Sequence, residues 1–302
     1  MGDIKIMRLR GDKVAYFSSL RLPEGKSGNF EIKHTIEKAG TVLTIVSDRS
    51  AIFWSMMGKE ARAWRGRLGE DVCIHKLLED GGVWMSDCPQ EIYSQRWQIE
   101  RFSGEVLVGG LGLGWAVKEL EENTDVKVIT VVEKSQDVIN LVWKHLKCKK
   151  IELIQEDLYL FLKKAKRLGL RWDYGYYDIW CPTGERVLHE HILPLRKLSE
   201  GIIKQENLEC WQELEMLGQV FNGLQTAVMT TQMPAMTNWL TISEEQFQKQ
   251  RKWFTESYAF YNWFRKTKPT YDEAMAVIEP YVKTYTNQKV WRKTWGRWDK
   301  LC

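Results

Sequence analysis

The stretch Glu105-Val106-Leu107-Val108-Gly109-Gly110-Leu111-Gly112-Leu113-Gly114-Trp115-Ala116-Val117 decides the fold. A short apolar run ends in glycines, and Ala116, Val117 and Leu120 then take up helical spacing. That predicts strand, glycine loop and helix in succession. The same rhythm continues downstream. Val128 to Val132 is a second buried strand, followed by Val138, Ile139, Val142, Trp143 and Leu146 at helical spacing. Ile151 to Ile154 is a third strand and Leu158 to Leu168 a third helix. Asp173 to Ile179 forms a fourth strand despite Gly175, and an amphipathic helix from Val187 to Ile202 precedes the strand-like Leu208-Glu209-Cys210-Trp211. No proline interrupts the chain between Pro89 and Pro182, which suits unbroken elements. Strands alternating with helices of about 10 to 15 residues call for a mainly parallel sheet with helices on both faces. The expected fold class is therefore α/β, Rossmann-like and doubly wound.

The flanks differ in texture. Residues 1–100 hold short apolar stretches broken by turn residues, with Phe30-Glu31-Ile32, Val42 to Val46 and Val83 to Asp87 as strands. They predict a β-rich N-terminal subdomain. Residues 101–215 are expected to form the Rossmann-like core. Residues 216–302 predict a helical C-terminal extension, with helix-start signals at Ser243-Glu244-Glu245-Gln246 and Thr270-Tyr271-Asp272-Glu273.

Composition narrows the class. Of the 302 residues, 44% are hydrophobic and 28% charged, which excludes a disordered, collagen-like or coiled-coil chain. Lys plus Arg number 44 against 40 Asp plus Glu, a net charge of +4, too balanced for a dedicated polyanion binder. No apolar run reaches the roughly 18 residues that span a bilayer, and the start Met1 to Lys13 has no apolar core for a signal peptide. Six cysteines without a CxxC pair read as reduced thiols in a cytoplasmic protein.

The candidate site follows from the strand ends. Glycines at 110, 112 and 114 allow a tight turn and close backbone approach to a ligand. Glu133 stands 19 residues after Gly114 at the end of the second strand, where an acid can accept hydrogen bonds from both hydroxyls of a ribose. Asp157 ends the third strand and Asp178 the fourth. Ligands of open α/β sheets bind at the carboxyl ends of strands, so four marked ends in register predict a nucleoside site. The plainer alternatives are glycines that serve only a turn, and an Asp157 that only caps the helix starting at Leu158.

The third glycine comes one residue too early for a dinucleotide G-x-G-x-x-G, and Trp115 follows it. Here the residues resemble the class I S-adenosylmethionine-dependent methyltransferases, over residues 105–211. Val106 to Gly114 looks like that family's first motif. The resemblance implies S-adenosylmethionine as cofactor, with Gly110, Gly112 and Gly114 around it, Glu133 on its ribose, and Asp157 with the Leu158 backbone at its adenine. Val108 replaces the acid that usually precedes the glycines, and Asp178-Ile179-Trp180-Cys181-Pro182 stands where amino-methyltransferases of nucleic acids carry their acid-proline signature.

Within the superfamily the chain is similar to the spermidine-synthase-like branch, which includes uncharacterised phage and bacterial members. That branch also sets a β-rich subdomain before the core. Its G-G-G-D-G-G aligns with Gly110 to Trp115, and its D-x-x-D-P with Asp178 to Pro182. Leu113, Cys181 and Trp115 replace two acids and a glycine of those motifs. A polyamine needs carboxylates, so these replacements argue against the polyamine reaction. Trp84-Met85-Ser86-Asp87 also resembles a segment of the uncharacterised members.

The leading expectation is a methyltransferase of unknown acceptor. Asp178 orients or deprotonates that acceptor, with Tyr177 and Trp180 as a stacking pocket. The alternatives are a spermidine-synthase-type aminopropyltransferase, and a non-catalytic nucleoside-binding or interaction protein of the same fold. No metal is expected: His189 and His191, two apart on a helix, point in different directions, and Cys73 with His75 lacks further nearby ligands. The basic tail with Trp291, Trp295 and Trp298 either grips nucleic acid or docks one helical face on the body. The latter spacing is favoured, and oligomeric state stays open.

Overall fold

The computed structural model describes residues 6–8, 10–44, 65–146, 149–181, 187–213 and 216. Apart from Met216, the expected helical extension with its basic tryptophan-rich tail lies outside the described residues, as does Cys148. The chain groups into two compact units. One comprises Met1–Ile52, Glu60–Cys181 and Pro194–Trp211, and the other Phe53–Lys59, Pro182–Leu193 and Gln212–Cys302. All the sheets described below belong to the first unit.

The centre of that unit is a five-stranded sheet built from β8 (Gly104–Gly109), β9 (Val126–Glu133), β10 (Ile151–Gln155), β11 (Tyr174–Tyr177) and β12 (Leu208–Cys210). The order across the sheet is β10-β9-β8-β11-β12, and every pairing is parallel. Counted from β8, that is 3-2-1-4-5, the doubly wound Rossmann-like arrangement expected from the alternation of strands and helices. Val106, Leu107, Ile129 and Val131 are buried completely or nearly so, as continuous apolar runs in a sheet covered on both faces should be.

The helices follow the sequence closely. α2 (Trp115–Glu122) buries Trp115, Val117 and Leu120. α3 (Gln136–Val142) is capped by the Ser135 hydroxyl, which accepts the Val138 amide. α4 (Leu158–Leu168) buries Leu158, Phe161, Leu162 and Ala165 and ends at Gly169, in the left-handed conformation. The expected helix from Val187 to Ile202 is shorter: a π-helical turn at Leu188–Ile192 precedes α5 (Leu193–Ser199). Pro194 has no amide hydrogen to donate, which suits it to the first turn of α5.

A second five-stranded sheet stands before the core. It joins β1 (Ala15–Tyr16), β2 (Gly25–Ser27), β3 (Phe30–Glu37), β6 (Val72–Glu79) and β7 (Gly82–Ser86). β4 (Val42–Thr44) and β5 (Arg65–Arg67) pair separately. The stretch Glu24 to Asn29, rich in turn residues, folds into a hairpin with the start of β3. Gly25–Ser27 pairs with Phe30–Ile32, and Gly28, with a φ of +52°, takes the bend. The central strand β6 escapes a sequence reading because His75 and Lys76 interrupt its apolar pattern. Its His75 is buried and donates from Nδ1 to Asp87 Oδ2 at 2.6 Å, while Asp87 Oδ1 accepts the His75 amide at 2.7 Å. That pair fixes the end of the β6-β7 hairpin.

α1 (Pro89–Ile99) then carries the chain onto the core. Ser94, Gln95 and Gln98 share one face of it by helical spacing. Ser94 Oγ accepts the Trp211 indole at 3.0 Å, and Gln98 Nε2 donates to the Cys210 carbonyl at 3.0 Å. Arg96 makes a bidentate ion pair with Glu119 of α2, both bonds 3.1 Å. Among the described residues no helix is long and apolar enough to cross a membrane.

Candidate functional site

The carboxyl ends of four adjacent parallel strands lie side by side, and the chain's own hydrogen bonds stitch them together. The Asp178 amide donates to the Gly109 carbonyl at 2.9 Å, the Gly110 amide to the Val132 carbonyl at 2.9 Å, and the Glu156 amide to the Glu133 carbonyl at 3.1 Å. Asp157, Glu133, the glycine loop and Asp178 therefore form one row along a single edge of the sheet.

Glu133 is the hub of that row. Its Oε2 accepts the Leu111 amide at 2.8 Å and its Oε1 the Ser135 amide at 2.7 Å. The side chain thus ties the glycine loop to the start of α3 from a buried position. A carboxylate oxygen accepts two bonds, so each retains a lone pair that a ribose hydroxyl can use. Asp157 does cap α4, with Oδ1 accepting the Tyr159 amide at 2.9 Å and the Leu160 amide at 3.2 Å. Both bonds fall on one oxygen; Oδ2 takes neither. The cap and a ligand role are compatible.

The glycines are needed by the chain itself. A side chain at Gly110, where φ is +94°, would begin 2.2 Å from the Asp178 carbonyl oxygen. One at Gly112 would begin 2.4 Å from Met85 Sδ, and one at Gly114 2.9 Å from Val142. The loop is a cradle closed on one side by Met85 of the N-terminal sheet, whose sulfur accepts the Leu113 amide at 3.3 Å.

Around Asp178 the structure assembles groups that the sequence does not mark. Gln95 Nε2 donates to Asp178 Oδ2 at 3.2 Å. One turn earlier on α1, Glu91 Oε2 accepts the Ser86 amide at 2.5 Å and the Ser86 hydroxyl at 2.8 Å. Burial pushes the Glu91 carboxyl up to about 7. Burial, and then the neighbouring Glu91 charge, hold the Asp178 carboxyl well above the usual carboxylate range. The Tyr176 hydroxyl, buried beside Asp178, offsets part of that rise. Burial together with Glu91, Glu79 and Asp178 raises the Cys181 thiol as well. Among the described residues no ion pair forms on Glu91 or Asp178.

Tyr177 and Trp180, the residues of the expected stacking pocket, are both buried. Tyr177 is fully buried, and its hydroxyl bonds the Ser199 hydroxyl on α5 at 2.8 Å. Successive strand residues point to opposite faces, so Tyr176 is the tyrosine that shares a face with Asp178 and Tyr177 is core. Trp180 is buried too, with 4% of its surface exposed, and offers no open platform. Leu158 is buried, its side chain against Gly109. Glu91 escapes notice in the sequence because an acid in the first turn of a helix opening with Pro89 reads as an ordinary helix-start residue. Its one signal is the proximity of Ser86, at the end of a strand.

No protein-family model matches the chain, and no curated protein matches it. Solved structures do. An S-adenosylmethionine-dependent methyltransferase from Agrobacterium tumefaciens is 16% identical over 45% of this chain and 49% of its own, with a TM-score of 0.35. A spermidine synthase from Thermotoga maritima is 13% identical over 70% of this chain and 66% of its own, at 0.37. A spermidine synthase in complex with the transition-state analogue AdoDATO is 14% identical over 70% of this chain and 67% of its own, at 0.39. The matched part thus spans about half of the first relative and about two thirds of the other two. At these scores the likenesses carry no argument about activity, and the fold stands on the strand order itself.

Proposed function

We propose that this chain is an S-adenosylmethionine-dependent transferase that delivers a methyl group to an acceptor held at Asp178. One observation carries the reading. Asp157, Glu133 and the glycine loop line three neighbouring carboxyl-terminal strand ends, and an acid pair stands beside them at the fourth.

The residues fit the nucleoside part of such a donor. Glu133 keeps a lone pair on each oxygen for a ribose diol, Asp157 Oδ2 is available to an adenine amino group beside the Leu158 backbone, and Gly110 and Gly112 bring the backbone close. S-adenosylmethionine, when bound, supplies a sulfonium methyl that is already activated. The protein's task is then alignment of the acceptor and care of its proton. Asp178 suits the second part. Burial and the neighbouring Glu91 raise its affinity for a proton, and Gln95 holds its Oδ2 in place.

A second reading draws support from the same acids. Leu113 and Cys181 replace the acids of the aminopropyltransferase motifs, but Glu91 supplies a carboxyl beside Asp178, so a cationic acceptor of that type has a partner. Assays separate the readings. Transfer of labelled methyl from S-adenosylmethionine into an extract, lost in Asp178→Asn while donor binding persists, supports the first. Turnover confined to the decarboxylated donor with a polyamine replaces it with the second. Donor binding with no transfer from either donor leaves the non-catalytic alternative.

A further inference from the structure

Four amides of the glycine loop show where their hydrogen bonds go. Gly110 donates to the Val132 carbonyl, Leu111 to Glu133 Oε2 and Gly114 to the Leu111 carbonyl, at 2.8 to 2.9 Å. Leu113 alone of these donates to sulfur, Met85 Sδ, at 3.3 Å. A thioether is a weak acceptor, and methionine, with three rotatable bonds, is the most easily rearranged of the large apolar side chains. The same sulfur and its methyl carbon stand 2.4 and 3.1 Å from where a side chain on Gly112 would begin. Any ligand that uses the close approach allowed by Gly112 meets Met85 first.

We propose that Met85 is a specificity-determining gate that selects the donor by its tail. This inference rests on the donor reading above. A tail bearing a carboxylate displaces Met85 with profit, because a weak sulfur bond to the Leu113 amide is exchanged for a charge-assisted oxygen bond. A tail that ends in an ammonium has no acceptor to offer. Displacement by it strands the amide of a residue that is 2% exposed, and an unpaired buried donor is costly. The gate therefore favours intact S-adenosylmethionine over its decarboxylated form, without any charged side chain on the loop reading the tail. Met85 arrives from β7, so the N-terminal sheet, rather than the nucleoside-binding core, holds this part of the selectivity.

Calorimetric titration of the full chain with S-adenosylmethionine, decarboxylated S-adenosylmethionine and adenosine tests the gate, in wild type, Met85→Leu, Met85→Ala and Met85→Gln. Wild type should prefer the intact donor by about ten-fold or more. Met85→Gln holds the Leu113 amide with an oxygen and should weaken that donor about ten-fold. Met85→Leu keeps the volume but loses the acceptor and should tighten it, as should Met85→Ala. Adenosine, which has no tail, should change less than about two-fold throughout. Equal shifts for all three probes, Gln and Leu variants moving in the same direction, or a wild-type preference for the decarboxylated donor would overturn the gate. Failure of every protein to bind any probe defeats the donor reading and the gate with it; binding indifferent to residue 85 defeats the gate alone.

Discussion

Glu91→Gln isolates the acid pair. In the folded chain the Glu91 carboxyl titrates at about 7, against an ordinary value of 4.5, chiefly because burial disfavours its charge. Between those two values the folded state holds a proton that the unfolded state has lost, so stability falls as pH rises through that window. A difference of about 2.5 units at about 1.4 kcal/mol per unit makes the loss about 3 kcal/mol by pH 8. Glutamine keeps an oxygen for the Ser86 amide and hydroxyl but has no proton to lose. The variant should therefore match wild type near pH 4.5 and exceed it by up to about 3 kcal/mol at pH 8. It should also relieve part of the repulsion that raises Asp178. Urea unfolding midpoints across pH 4.5 to 8 for both proteins measure the difference directly. Parallel pH profiles, or a variant less stable at pH 8, would mean that Glu91 is solvated or paired with a cation, and the acid pair would dissolve as a feature of the site.

The other expectations are local. Gly110→Ala should cost more than about 3 kcal/mol, since backbone strain of about 1–3 kcal/mol adds to the collision with the Asp178 carbonyl. Gly112→Ala should be milder and partly rescued by Met85→Ala, because its obstacle is the end of a flexible side chain; thermal melts of single and double variants read both. Tyr177→Phe should lose about 1 kcal/mol of stability through the Ser199 bond with donor affinity unchanged. A large loss of affinity in a folded Tyr177→Phe would restore that residue to the acceptor pocket. Asp178→Asn should keep donor affinity and lose turnover, measured by calorimetry and by label transfer.

The core is legible in the sequence because its sheet is buried on both faces. Val106 to Val108 and Val128 to Val132 read as covered strands, and the glycines after the first and Glu133 after the second mark strand ends of the candidate site. β6 is not legible, since the buried His75 is tolerated there by its bond to Asp87, a partner 12 residues away. α1 and its clamp on the core leave no clear signal either. The fourth strand end is half readable. Asp178 is found by its place in the strand rhythm, whereas Tyr177 and Tyr176 cannot be told apart, because sequence alone does not say which face a strand turns to its ligand. Glu91, Gln95 and Met85 come to Asp178 and the glycine loop from another sheet and its following helix, and such long-range placement has no local pattern.

The proposed transfer depends on Glu133 and its neighbours binding the nucleoside of S-adenosylmethionine. Calorimetric titration with that compound, in wild type and in Glu133→Gln, puts that dependence to the test. Glutamine keeps one acceptor for the Leu111 amide but loses the charge and an acceptor. Saturable binding by wild type is therefore predicted, weakened in the variant by about 1.5–3 kcal/mol, the worth of a charged hydrogen bond. A folded wild-type protein that takes up no S-adenosylmethionine, or a Glu133→Gln variant that binds it equally well, would contradict the donor reading and leave Glu133 as a latch for the glycine loop.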